Sequence, residues 1–106
     1  MFTLLYHPEA KSEVASLPEP VKGKMARLLN QLTRQGNGLR FPLTRPLREG
    51  LFELRSSGDD IGRTLFVFQR DRKIWILRCY IKKSEKTPRR ELLLAVKRLE
   101  EMTWLK

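Results

Sequence analysis

Residues 74–88 read I-W-I-L-R-C-Y-I-K-K-S-E-K-T-P, and this stretch holds Arg78, Lys82, Lys83 and Lys86 with Tyr80 among them. Cations at this density around a phenol suit contact with a polyanion, and RNA above all. Read as a strand, the stretch alternates: Trp75, Leu77, Cys79 and Ile81 point one way, and Arg78, Tyr80 and Lys82 the other. The expectation is one apolar face and one face carrying two cations and a phenol. Thr87 then serves as N-cap, with Pro88 at the first position of a closing helix.

Other chemistries find little material. Cys79 is the only cysteine, so neither an internal disulfide nor a cysteine-based zinc site can form. His7 is the only histidine, and a histidine metal cluster or a Ser-His-Asp triad would have to use it. Just before Pro8, it reads as a residue introducing a helix. The formal net charge is +10, from 22 Lys+Arg against 12 Asp+Glu in 106 residues, which favours a polyanion or an acidic protein as partner. The charge is uneven. Residues 63–90 carry Arg63, Arg70, Arg72, Lys73, Arg78, Lys82, Lys83, Lys86, Arg89 and Arg90 against only Asp71 and Glu85. With 41% apolar residues the chain reads as one globular domain over 1–106, and with no signal-like or long apolar run it is expected to be soluble and cytoplasmic.

The elements that must position these residues follow from periodicity. Residues 2–6 are β-prone. Pro8 opens a short helix with Ala10, Val14 and Leu17 on one face, ended by Pro18 and Pro20. A second helix carries the stripe Val21, Met25, Leu28, Leu29, Leu32 and stops at Gly36-Asn37-Gly38. Pro42 and Pro46 allow only an edge strand or an irregular connection over 39–48. Residues 51–55 alternate as a half-buried strand, with Phe52 and Leu54 inward and Leu51, Glu53 and Arg55 outward. Residues 56–60 form a turn or loop. Residues 62–70 and 73–81 make an antiparallel hairpin about a short polar turn, and Leu92, Ala95, Val96, Leu99 and Met102 stripe a third helix. The order β-α-α-β-β-β-α predicts an α+β fold, a mainly antiparallel sheet with its helices on one face and Arg55, Arg78, Tyr80 and Lys82 emerging on the other.

Three features together resemble the RelE-like superfamily of bacterial toxins, in its HigB-type, phage Gp49-like branch. They are G-L-F-E-L-R at 50–55, Gly62-Arg63 opening a strand, and I-K-K-S-E-K-T-P at 81–88. The last is similar to the branch's F-x-K-K-T-x-K-T-P, and A-x-x-R follows at Ala95–Arg98. The resemblance covers nearly the whole chain and implies a RelE-like fold. It also implies a metal-independent, cofactor-free mRNA interferase that cleaves translated messenger RNA on the ribosome, silenced by a cognate antitoxin, here a helix-turn-helix protein. In that chemistry the RNA's own 2′-hydroxyl attacks the neighbouring phosphate, and the protein supplies charge stabilisation and proton transfer. The resemblance then implies Arg63 as main phosphate clamp, with Arg55, Lys82, Lys83 and Lys86 as catalytic cations. It also implies Tyr80 as a stacking platform for a base, while Arg78, Lys73 and Arg89 are candidates for further RNA contacts by their charge. Where the branch reads L-H-G-F, this chain reads Leu77-Arg78-Cys79-Tyr80, so a histidine base is absent.

Plainer readings stand beside these. Lys82, Lys83 and Lys86 could form a solubilising rim, Arg63 could pair with Asp59 or Asp60, and Arg55 with a cross-strand acid. Tyr80 could be a buried strand aromatic, Cys79 and Trp75 core residues, and Trp104 a contact for a partner protein. Two rival functions are a ParE-like gyrase inhibitor of the same fold and a basic nucleic-acid-binding regulator without chemistry.

Overall fold

The computed structural model describes residues 1–57, 61–83 and 86–104. Asp59 and Asp60, weighed as partners for Arg63, lie outside the described residues, as does the Trp104 side chain. In chain order the elements are β1 (Thr3–Tyr6), α1 (Pro8–Ala15), α2 (Glu19–Gln35), a 3-10 turn (Gly36–Gly38), β2 (Thr44–Pro46), β3 (Phe52–Arg55), β4 (Ile61–Gln69), β5 (Lys73–Lys82) and α3 (Arg89–Trp104). The sheet order is β1-β5-β4-β3-β2, with β1 parallel to β5 and every other pair antiparallel. The α+β class and the element order agree with expectation. The segment with two prolines became a three-residue edge strand ending on Pro46.

Each helix starts and stops for a local reason. His7 caps α1, its Nδ1 accepting from the Glu9 N–H at 3.1 Å. With Nδ1 an acceptor, the ring proton sits on Nε2 and is donated to Glu101 on α3 at 2.7 Å. α2 buries its expected stripe and ends at Gly36, whose φ of 52° suits glycine and whose bare Cα is covered by the Phe2 ring. The β4–β5 turn places Asp71 and Arg72 at φ of 60° and 56°, the sign pattern of a type I′ hairpin.

The helices do not share one face. Ala10, Leu17, Val21, Met25, Leu28, Leu29 and Leu32 pack with Leu54, Phe66, Ile74, Ile76 and Cys79 on the α1/α2 side. Ala95 and Met102 of α3 pack with Leu51, Leu65, Val67, Trp75 and Leu77 on the opposite side. The expectation of helices on one face is therefore corrected. β4 and β5 are apolar toward both faces, and burying each such side chain is worth about 1.5–3 kcal/mol, so a bare second face would be costly.

A β-bulge also resets the alternation of β5. Leu65 pairs with Arg78 and Phe66 with Ile76, leaving Leu77 as the extra residue. Ile74 and Ile76 therefore share the α1/α2 face with Cys79 and Ile81, and Trp75 and Leu77 share the α3 face with Tyr80. The expected grouping of Trp75, Leu77, Cys79 and Ile81 does not occur.

Beyond the end of β1 the outer edge of β5 is satisfied by side chains. Glu13 of α1 accepts the Cys79 N–H at 3.1 Å, and Arg98 of α3 donates to the Leu77 carbonyl at 3.0 Å. Arg98 also binds both oxygens of Glu13 at 2.8 Å, joining the two helices across the strand edge. Burial alone would raise the Glu13 carboxyl, but hydrogen bonds from Arg98 and Cys79 and the charge of Arg78 hold it below the usual glutamate range. The A-x-x-R arginine is thus a structural tie. Arg98→Ala should lower unfolding free energy by about 1–3 kcal/mol, since it removes a bidentate partner of Glu13 and leaves the buried Leu77 carbonyl without its donor, and a urea titration followed by circular dichroism would show it. Unchanged stability would mean that α3 docks without this tie.

Candidate active site

α3 covers only part of its sheet face. Beyond its first turn, toward the ends of β3, β4 and β5, a cationic cluster surrounds one carboxylate. Glu53 is 0% exposed. Its Oε1 lies 3.6 Å from Arg63 Nε, 3.6 Å from Arg55 Nε and 4.0 Å from Arg45 Nε, and its Oε2 accepts the Thr87 hydroxyl at 2.7 Å. Lys82 belongs to the same field, feeling the charges of Glu53, Arg63, Arg45 and Arg55. Four cations thus face one carboxylate, an excess of three positive charges, with Glu53, Arg63 and Lys82 buried and Arg45 and Arg55 reaching solvent.

Register explains the convergence. Arg55 pairs with Arg63, Arg63 with Tyr80, and Arg45 with Glu53, so neighbouring strands present these residues side by side. Arg63 is 5% exposed and is held by its Nη1, which donates to the Ser56 and Gly62 carbonyls at 3.0 and 2.9 Å. Gly62 is needed one position earlier because α2 lies close against β4. A Cβ there would sit 2.9 Å from a Val21 methyl and 3.0 Å from Ser56 Oγ, and that hydroxyl accepts the Gly62 N–H at 2.8 Å.

The cluster is charged but not internally satisfied. Glu53 Oε1, Arg55 Nε and Arg63 Nε are buried without a hydrogen-bond partner. Native interiors rarely leave such atoms bare, and when they do a functional site is the first candidate. Burial is the largest influence on Arg63 and on Lys82, and it draws both below their usual values; Glu53 opposes it, and neighbouring guanidiniums reinforce it. Burial also pushes the Tyr80 phenol up to about 12, helped by Glu53 and Glu91, which keeps it a neutral hydrogen-bond donor.

The expected site residues separate into groups. Arg55, Arg63 and Lys82 come together as anticipated. Lys83 and Lys86 are exposed and line an adjoining groove of about 700 Å³ with Arg78, Ile81 and Arg90. Tyr80 lines that groove only by its edge, since it is 8% exposed and packed in the α3-side core. It is not a free stacking platform, because α3 covers the face on which it lies. Arg78 is a tie rather than a free RNA contact, donating to Glu91 at 2.6 Å and to Glu13 at 2.7 Å. Lys73 begins β5 at the hairpin turn, about 30 Å along the strand from Lys82 at ~3.3 Å per residue, and so takes no part. Arg89 lines a separate cleft with Arg48, Glu49, Leu51 and Thr87. Thr87 spends its hydroxyl on Glu53 rather than on the helix end, and α3 begins at Arg89. Cys79 is a core thiol, pushed up to about 11 by burial.

Two members of the cluster, Glu53 and Arg45, escaped the sequence reading, which placed Glu53 in solvent. The available signal was parity: Glu53 lies two residues from Leu51 on the face that α3 covers.

Against families of known proteins, residues 12–100 match the phage-derived protein Gp49-like family (DUF891). The chain belongs to this Gp49-like family. No curated protein matches it. Among solved structures it is similar to a chain of the toxin–antitoxin complex RelBE2 from Mycobacterium tuberculosis. The TM-score is 0.58 at 20% identity, over 76% of this chain and 98% of that one. This establishes a shared RelE-like fold. Among the described residues of this Gp49-like chain, no helix is long and apolar enough to cross a membrane.

Proposed function

We propose that this Gp49-like protein is the toxin of a toxin–antitoxin pair and an mRNA interferase acting on translated messenger RNA in the ribosome. The observation that carries the reading is the cluster of Arg45, Arg55, Arg63 and Lys82 around buried Glu53, with polar atoms still lacking partners. Such a preorganised, partly buried set of cations suits negative charge that develops on a phosphate during reaction. The fold shared with a chain of a toxin–antitoxin complex and the strongly basic chain support an acidic, antitoxin-type partner.

In the proposed reaction the RNA 2′-oxygen bonds to the adjacent phosphorus and the bond from phosphorus to the 5′-oxygen breaks. The products are a 2′,3′-cyclic phosphate and a 5′-hydroxyl end, the leaving 5′-oxygen taking its proton from water. Arg63, whose Nη1 is committed to two carbonyls and whose Nε faces Glu53, supplies fixed positive charge beside the phosphate, and Arg55 shares the developing charge. Lys82, drawn down by burial, takes the 2′-hydroxyl proton in its neutral form. Glu53 holds the guanidiniums in place. Lys83, Lys86 and Arg90 guide the backbone along the adjoining groove.

A base with a lowered pKa is neutral in a larger fraction at any pH below that value. Cleavage should therefore rise with pH and level off below the usual lysine range, and Lys82→Ala should remove that limb of the profile. The deciding experiment is primer extension on mRNA from cells expressing the protein. Cuts confined to translated messages, with growth arrest, support the reading. Unimpaired growth, or cleavage that survives Arg63→Ala combined with Lys82→Ala, overturns it. Double-strand DNA breaks with intact mRNA would replace it by gyrase inhibition.

A further inference from the structure

The burial of Tyr80 leaves the proposed RNA path without an aromatic surface at the clamp, yet an exposed aromatic lies beside it. Phe41, in the turn before β2, is 70% exposed. The Arg55 guanidinium lies 5.4 Å from the centroid of its ring. One arginine thus joins two features, since it also contacts Glu53 at 3.6 Å within the cationic cluster.

Next to this pair lies a cleft of about 350 Å³ between α2 and the end of β3. It is lined by Lys24, Arg27, Gln31, Arg55, Ser56 and Ser57 over a floor of Leu28 and Leu43. Lys24 is oriented toward the end of β3, its Nζ donating to the Ser57 carbonyl at 2.9 Å. Arg27 stands about one helical turn further along α2. Among the described residues, no carboxylate lines the cleft. Lys24 and Arg27 of α2 thus continue the positive field of the cluster beside Arg55.

We propose that Phe41 and this cleft form a binding site for the single-stranded RNA that flanks the scissile phosphate. An unpaired base would stack on Phe41 beside Arg55, and the next phosphates would lie over Lys24 and Arg27. This rests on the mRNA-cleavage reading and adds to it a second site, outside the reacting atoms. The chemistry is that of single-strand recognition generally: an aromatic face accepts any base, a neighbouring guanidinium adds a cation–π contact, and lysine and arginine follow the backbone. An acidic protein segment would suit the cations equally but gains nothing from a flat ring aligned with a guanidinium, so RNA is favoured.

The test is single-turnover cleavage on programmed ribosomes, with affinity measured on a message carrying a 2′-deoxy nucleotide at the scissile position. Phe41→Ala should weaken affinity about tenfold to a hundredfold, the usual range for one stacked base, with the loss appearing in KM. Phe41→Trp should restore binding, and its fluorescence should be quenched by the message. Lys24→Gln with Arg27→Gln should flatten the salt dependence of binding. Arg63→Ala should behave oppositely, losing rate while binding persists. Unaltered affinity in Phe41→Ala while the wild type cleaves normally overturns this inference and leaves the cleavage reading standing. A Phe41→Ala effect confined to capture of an acidic antitoxin also overturns it. A wild type that cleaves nothing on ribosomes overturns the reading beneath it.

Discussion

Arg63→Ala is expected to reduce mRNA cleavage about a hundredfold to a thousandfold, the loss that follows removal of one preorganised contact to a charged transition state. The growth arrest caused by expression should disappear with it. Arg63 is the best held cation of the cluster: its Nη1 is fixed by two carbonyls and its Nε faces Glu53. Its positive charge is therefore fixed in place before a phosphate arrives. Because Arg63 is also buried, the alanine variant must be compared with Arg63→Met, which keeps most of the volume, and both must give the wild-type circular dichroism spectrum. Loss of cleavage in folded Arg63→Met ties the effect to charge. Cleavage within a few fold of wild type in that variant would remove Arg63 from the chemistry.

Glu53→Ala should produce the largest fall in stability, on the order of 3–5 kcal/mol, because it leaves buried Arg63 facing Arg55 and Arg45 with no counter-charge. For a chain of this size that is a drop in Tm of more than about 10 °C, readable by calorimetry. Glu53→Gln should cost less, since the amide can still accept the Thr87 hydroxyl that now reaches Oε2. The informative variant is the pair Glu53→Leu with Arg63→Met. Replacing buried charge by apolar volume should recover much of the stability and none of the cleavage. A double variant that stays as unstable as Glu53→Ala would show that Arg45 and Arg55, rather than Arg63, carry the repulsion.

The two predictions concern a residue that was legible from sequence and one that was not. Arg63 stands out because Gly62 precedes it at the start of the most β-prone run, and the structure supplies the reason: α2 leaves no room for a Cβ at that point. Glu53 was assigned to solvent by a correct alternation joined to a wrong assumption about the face it pointed to. The apolar runs Leu65-Phe66-Val67-Phe68 and Ile74-Trp75-Ile76-Leu77 held the warning, since strands without alternation are those covered on both sides.

By itself the sequence determined the elements, because their causes are local. Prolines open α1 and α2, Gly36 ends α2 at positive φ, and stripes at helical spacing name the buried faces. Only the tertiary structure decided which cations meet. Sharing a site requires register, and register here depends on one extra residue, Leu77, whose bulge puts Trp75 and Leu77 on the face of Tyr80 and separates them from Cys79. Pairing across strands, through contacts far apart in the chain, brought Arg45, Glu53, Arg63 and Lys82 together. It also left Lys73 at the far end of the strand that carries Lys82, where proximity along the sequence counts for nothing.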